Sequence, residues 1–510
     1  MRQYETFELT FKGEEPAGSF ADIDLKAVFT NDGESITTYG FYAGNDTYKI
    51  RFFPKKTGLY TWTVSGLFSA AGEEMCDKAD EGVHGMVHAK DLHFEYEDGT
   101  VYYPIGTTIY AMMHQDKELV ETTMDTLSKA PFNKIRLCVF PKHYDFNHNE
   151  PDLYAFEKTD GKWDVHKPCI EFWDVFEERM ARLCKMGIQV DLIIFHPYDR
   201  WGFAGLSKED SLTYLDYLLR RFSAIPNIWW SLANEYDFVG NYNKQDWIDF
   251  GKYIKERDPY GHCLSNHNGF EYWDFSLDEI THCCIQDSNV NEVPDLQRKY
   301  NKPVVFDECR YEGNIHHGWG NISAKEMVRR FWVAYTLGGY CTHGETYYSD
   351  DEVLWWSRGG VLKGESPERI AFLKSILDEL SGPLYYVNEG LGRYTREMIM
   401  DMKKNGIPEE YKRDFFSNGL VQLSDERVQP YILNIRPCFA HVGDEAYLRY
   451  FDRDCCSKTD IDLPEDRKYK IEILDTWEMT RTVYSESASG KVSLELPGKE
   501  GMAVFACAVD

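Results

Sequence analysis

The 510-residue sequence predicts a multidomain chain: a (β/α)8 TIM barrel between an N-terminal and a C-terminal all-β sandwich domain. Three observations carry that prediction. Eight short apolar runs, most of them separated by helical segments, occupy the middle of the chain, and strand–helix alternation repeated eight times closes a barrel rather than an open sheet. Residues before about 90 and beyond about 383 show short period-two stretches broken by Gly, Asn, Asp and Pro, as antiparallel sheets require. No Gly-x-Gly-x-x-Gly follows the first run and no Walker sequence occurs, which disfavours a nucleotide-binding fold.

The expected domains are 1–90, 91–383 and 384–510. In the first, Glu5 to Phe11 alternates with period two, and Tyr48 to Phe53 and Leu59 to Val64 follow around Pro54 and Gly58. Phe94 to Tyr96 and Val101 to Tyr103 read as a hairpin about Asp98-Gly99. The barrel strands are then expected at Ile105 to Ala111, Lys134 to Phe140, Gln189 to Phe195, Ile228 to Ala233, His262 to Ser265, Ile280 to Ile285, Pro303 to Phe306 and Gly338 to Thr342. Between them, Phe172, Trp173, Phe176, Met180 and Leu183 share one helical face, with Gly187 as a stop. Leu212, Leu215, Leu218, Leu219 and Phe222 do the same before Pro226, and Ser323 with Glu326 suggests a capping box. Ser366-Pro367 opens the last helix and Gly382 closes it. The C-terminal domain is expected to be all β, with strands at Val428 to Ile435, Ala446 to Phe451, Lys468 to Leu474, Lys491 to Leu496 and Met502 to Ala508.

The net charge of −29 disfavours nucleic acid and anionic membrane surfaces as partners, both of which reward Lys and Arg. The 15% aromatic content suits either sugar-ring stacking or core filling. The thirteen cysteines are scattered and never spaced Cys-x-x-Cys, and the first residues show no export signal. Free thiols in a reducing cytoplasm are therefore expected, with Cys283-Cys284 and Cys455-Cys456 as the places where a bridge or zinc site would otherwise lie. No cofactor and no metal is expected. The one His-x-x-x-His pair, His84 with His88, falls in the first β-domain.

A continuous apolar run such as Ile228 to Ala233 is what a strand covered on both faces requires, and it ends abruptly in Asn234-Glu235. In a parallel barrel the chemistry is done at such C-terminal ends. A poorly solvated carboxyl there keeps its proton to higher pH and can act as an acid. Strand seven ends in Asp307-Glu308, strand three in His196-Pro-Tyr198-Asp-Arg-Trp201, strand six in Gln286-Asp287 and strand eight in His343-Gly-Glu345. Glycoside hydrolysis needs two carboxyls flanking the scissile bond, one protonated and one ionised, about 5–5.5 Å apart when configuration is retained. Glu235 and Glu308 are the candidate pair. Arg136 on strand two is placed to keep Glu308 ionised; Asn234 contacts a sugar hydroxyl; His196, Gln286 and Glu345 line the substrate site; Trp355, Trp356 and Trp201 are candidate sugar platforms.

The Asn-Glu after strand four and the Glu closing Lys302-Pro-Val-Val-Phe-Asp-Glu308 resemble clan A glycoside hydrolases. A closer likeness, carried by Pro104 to Thr108, Asn133 to Arg136, His196 to Arg200 and Asn227 to Glu235, is to bacterial apiosidase-like barrels flanked by β-domains. The resemblance implies a retaining double displacement with Glu235 as acid/base and Glu308 as nucleophile. A retaining β-glycosidase with a carbohydrate as partner is thus expected, and the expected cytoplasmic location favours small oligosaccharides or plant glycosides over polymers. Gln286-Asp287 departs from the clan pattern, in which an aromatic or His residue often stands. Two competing readings of the residues stay open: Glu345 as nucleophile with Glu308 a structural partner of Arg136 or Arg310, and a metal-dependent lyase or isomerase. A non-catalytic carbohydrate-binding protein is a third, and homo-oligomerisation through the β-domains is compatible with any of them.

Overall fold

The computed structural model describes residues 1–509. Its centre is an eight-stranded parallel sheet. In chain order the strands are Gly106–Thr108, Lys134–Cys138, Gln189–Phe195, Ile228–Ala233, Leu264–Ser265, Cys283–Gln286, Val304–Glu308 and Tyr340–His343. Strand one pairs with both two and eight, so the sheet curls on itself. The remaining gap, between five and six, is bridged by Thr281 N–H donating to Leu264 O at 2.8 Å and Asn268 Nδ2 donating to Gln286 O at 3.1 Å. Strands two to four are buried at every position, which is why they read as unbroken apolar runs. Helices Lys117–Leu127, Ile170–Lys185, Lys208–Phe222, Lys244–Arg257, Val293–Tyr300, Ala324–Thr336 and Ser366–Leu377 occupy connections or follow strand eight. Ser323 Oγ caps Ala324–Thr336 by accepting from Glu326 N–H, but the Glu326 carboxylate turns to Arg330 instead of completing a capping box.

Two antiparallel sheets face each other at the N-terminus: Phe7–Lys12, Thr47–Phe52 and Phe41–Tyr42 against Glu34–Tyr39, Leu25–Asn31, Gly58–Gly66 and Ala70–Cys76. Between them Phe29 and Phe52 stack at 4.1 Å. Arg51 of this unit donates to Arg221 O at 2.8 Å, and Arg220 of the barrel donates to Ile23 O at 2.8 Å, so buried guanidinium groups staple sheet to helix. At the C-terminus a six-stranded antiparallel sheet packs against a two-stranded ribbon, Lys458–Asp462 with Lys491–Glu495.

The strand expected at Val428 to Ile435 is a helix, Asp425–Ile435. Val428 and Ile432 are four residues apart and both buried, in a small core with Tyr394, Ile399, Met402 and Leu420. That spacing is helical, and it was hidden by the β-branched residues and Pro430. Helices Arg396–Asn405 and Phe415–Leu420 complete this cluster, so the segment leading into the C-terminal sheet is α-helical. All thirteen cysteines are free thiols, including Cys283, Cys284, Cys455 and Cys456. No helix among the described residues is long and apolar enough to cross a membrane.

Candidate active site

The C-terminal ends of the strands converge on a cavity of about 370 Å³, within the ~300–1,000 Å³ common for small-molecule sites. Asn234, Glu235, Gln286 and Glu308 all line it. Strand four stops at Ala233, and Glu235 takes a left-handed backbone conformation (φ 52°, ψ 60°) before the single turn Tyr236–Phe238. A non-glycine residue is strained there, and such strain is characteristic of functional turns. Main-chain atoms hold the turn: Asn234 N–H donates to Phe195 O and Tyr236 N–H to His267 O, each at 2.9 Å.

The two carboxylates sit in different surroundings. Glu235 is 7% exposed; it accepts from Asn234 Nδ2 at 3.0 Å, from Gln286 Nε2 at 3.1 Å and from the Tyr198 hydroxyl. Burial first, and then the charge of Glu308, push its carboxyl above the ordinary value. Glu308 accepts from Arg136 Nη1 at 3.3 Å and from the Tyr110 hydroxyl, with His267 Nε2 3.7 Å away. Burial, and then the Arg136 guanidinium, hold that imidazole well below its usual value, so it is neutral. Asn234 links the pair: its Nδ2 holds Glu235, while its Oδ1 lies 3.0 Å from the Tyr110 hydroxyl that touches Glu308. Gln286 Nε2 holds Glu235, and its own backbone faces Glu308 in the ladder, after a bulge that follows Ile285.

Several expected site residues lie elsewhere. Arg136 is wholly buried beneath the cavity, bound to Asp191, Asn234 and Glu308, and is not among the residues that line it. His196 donates through Nε2 to Phe140 O at 3.2 Å and stands behind the wall; burial lowers its pKa to about 4. Glu345 is excluded from the cavity, because Lys363 N–H (2.6 Å) and Gly364 N–H (2.8 Å) take both its oxygens. It secures the loop after strand eight, a role that neither the nucleophile nor the hydroxyl-binding reading contained. Trp355 is buried against Thr107 Oγ1 at 2.8 Å, and its neighbour Trp356 faces the cavity instead. Trp201 sits outside, donating to Glu150 Oε1 at 2.7 Å.

Sequence reasoning missed Tyr110, Lys142, Tyr144, Phe238, Phe270, Tyr311 and Trp319, which complete the wall. Their one signal was proximity to a strand end: Tyr110 follows strand one by two residues and Tyr311 follows Glu308 by three. Tyr198 lay inside a motif already singled out. A cluster of Glu312, His343 and Glu345 places ligand atoms within 4.8 Å of one another and is the one such group among the described residues. It lies outside the cavity, and the Glu312 carboxylate is likewise held by main-chain N–H groups, of Glu365 and Ser366. His84 and His88 turn to different carboxylates, Asp98 at 2.7 Å and Glu97 at 2.5 Å.

A parallel (β/α)8 barrel with an aromatic-walled cavity and two carboxylates at its C-terminal rim has the architecture of a glycoside hydrolase, and the comparisons agree. Residues 88–374 match the apiosidase-like catalytic domain, and the chain belongs to that family. Residues 1–66 and 436–505 match domains of unknown function, DUF5060 and DUF5605. A Bacteroides vulgatus ATCC 8482 protein provisionally assigned as a glycoside hydrolase is 32% identical, covering 100% of this chain and 99% of its own at a TM-score of 0.84. A family 5 glycoside hydrolase from the same organism aligns over 83% of this chain and 94% of its own, with 14% identity and a TM-score of 0.59. A further glycoside hydrolase aligns over 83% and 97%, at 12% and 0.57. These last two share the fold. No curated protein matches the chain.

Proposed function

We propose that the protein is a retaining β-glycosidase acting on small oligosaccharides or plant glycosides by double displacement. The observation that carries this reading is the split environment of two glutamates on one cavity. Glu235 is desolvated and disposed to keep its proton, whereas Glu308 is ion-paired with the Arg136 guanidinium at 3.3 Å. Glu308 attacks the anomeric carbon while Glu235 transfers its proton to the departing oxygen, breaking the glycosidic bond and leaving a glycosyl ester on Glu308. Glu235, now a carboxylate, removes a proton from water, which attacks the same carbon and frees Glu308. Two inversions give net retention. Asn234 and Gln286 orient Glu235, and the ring faces of Trp356 and Trp319 offer stacking surfaces.

The test is stereochemical. Proton NMR of the first sugar released from an aryl glycoside should show the substrate's anomeric configuration, and a 2-deoxy-2-fluoro glycosyl probe should label the peptide containing Glu308. Release of the opposite anomer, or label on Glu345, would overturn the assignment.

A further inference from the structure

Buried cations in this chain are paired, with one exception. Of the eight buried lysine and arginine side chains among the described residues, seven contact carboxylates; Lys134 with Asp307 at 2.7 Å and Arg221 with Glu177 at 2.9 Å are examples. That is the expected rule, because an uncompensated buried charge is strongly unfavourable. The eighth is Lys142. It is 4% exposed, forms no ion pair among the described residues, and donates no hydrogen bond from its ammonium. Its Nζ stands 3.6 Å from the ring centre of Tyr110, 4.3 Å from Tyr198, 5.1 Å from Trp356 and 5.3 Å from Tyr144. Ring faces attract a cation but accept none of its three N–H bonds.

Lys142 and these four rings line the cavity together with Glu235 and Glu308. Neither glutamate comes within ion-pair distance of it: Glu308 is matched with Arg136, and Glu235 with Tyr198, Asn234 and Gln286. Arg310, on the same wall, is a second cation without a carboxylate partner; its Nη2 donates to Gly318 O and, at 3.2 Å, to Asn321 Oδ1. Asp287 is the other acidic residue facing the cavity, and the Tyr272 hydroxyl occupies it at 3.0 Å. A chain carrying −29 charges thus leaves its one unpaired buried cation pointing into its candidate active site. The complementary group is an anion brought by the ligand.

We propose that the Lys142 ammonium receives an oxyanion substituent, a carboxylate or a sulfate ester, on the sugar held in the cavity, so that the enzyme selects acidic over neutral glycones. This rests on the glycosidase reading above. The ring cage fixes the ammonium without using its donors, so a bidentate oxyanion finds its hydrogen bonds already aimed.

Isothermal titration of the wild-type protein with glucuronic acid, galacturonic acid and galactose 6-sulfate, against glucose and galactose, tests it directly. At least one acidic sugar should bind ten-fold or more tighter than its neutral parent, and carboxylate against sulfate names the source. Lys142→Met should abolish that preference while its thermal midpoint stays level or rises, since an unpaired buried charge is removed. Lys142→Arg should keep part of the preference. Equal binding of acidic and neutral sugars by the wild type overturns the inference, as does a preference that survives Lys142→Met. Parallel assays on 4-nitrophenyl glucuronide and glucoside separate the two readings. A binding preference with no hydrolysis of either glycoside ends the hydrolase mechanism alone, and equal hydrolysis of both with no binding preference ends only the acidic-sugar inference.

Discussion

The barrel's floor and its mouth are built from the same residue types and treat charge in opposite ways. On the floor, Lys134 Nζ lies between Asp191 and Asp307, 2.7 Å from each, and Thr342 Oγ1 donates to Asp307 at 2.9 Å. Arg136 Nε closes the layer 3.4 Å from Asp191. Burial raises the Asp307 carboxyl, but Lys134 and Arg136 outweigh it and hold the group well below the carboxylate range. At the mouth, Lys142 has no counter-ion, and Glu235 is driven toward its neutral form. Pairing makes the floor a rigid base, and incomplete pairing leaves the mouth with donors and a proton to offer. Arg136 belongs to both: one edge of its guanidinium completes the floor and the other holds Glu308.

The sharpest way to break this contrast is at the mouth. Glu308→Gln should lower kcat/KM by on the order of 10⁴-fold with the unfolding midpoint nearly unchanged; a loss explained by unfolding would show that Glu308 is part of the base. On the floor the reverse is expected. Lys134→Met leaves two carboxylates facing each other without their shared cation and should destabilise the fold by about 3–5 kcal/mol, read from urea denaturation.

Outside both regions, burial raises the Glu345 carboxyl to about 7 from 4.5. A group whose folded pKa exceeds its unfolded one contributes stability below the unfolded value and loses it as pH rises through the folded value. Between pH 4.5 and 7 the contribution of Glu345 should therefore fall by on the order of 3 kcal/mol, and Glu345→Gln should make stability rise more, or fall less, with pH than in the wild type, read from pH-dependent denaturation. Tyr198→Phe removes a hydrogen bond that lowers the Glu235 pKa. The acid must be protonated to work, so the basic limb of the kcat/KM profile should move to higher pH; a shift to lower pH would mean that Glu235 is not the acid. The smallest effect belongs to Trp201, which lies off the cavity: Trp201→Ala should leave kcat and KM within about two-fold, and a large rise in KM would restore it as a sugar platform.

Glu235 and Glu308 were legible because each ends a buried apolar run, and the abrupt stop of such a run locates the end of a strand. Asn234 and Gln286 came with them, being neighbours at strand tips. Trp355 and Trp356 show the limit: adjacent in sequence and alike in chemistry, they point to different places, and only the turn between strand eight and the last helix decides which ring meets the cavity. Glu345 shows it again, since the main-chain N–H groups of Lys363 and Gly364 claim its oxygens through a loop that no local pattern describes.

By itself, the sequence determined the three-part order of sheets and barrel, six of the eight candidate barrel strands to within about two residues, and the two carboxylates at the rim. Each follows from side-chain period and burial, which are local. The first strand is shorter than expected, because Ile109 to Ala111 stay buried after leaving the ladder, and the sixth begins only at Cys283, after the expected start at Ile280. The tertiary structure alone decided which charges are paired. Lys134, Arg136 and Lys142 lie within nine residues of one another, yet two find carboxylates on strands three and seven and the third finds only aromatic rings. Ion pairing depends on distances of a few ångströms between groups far apart in the chain, and those distances exist only once the barrel has closed.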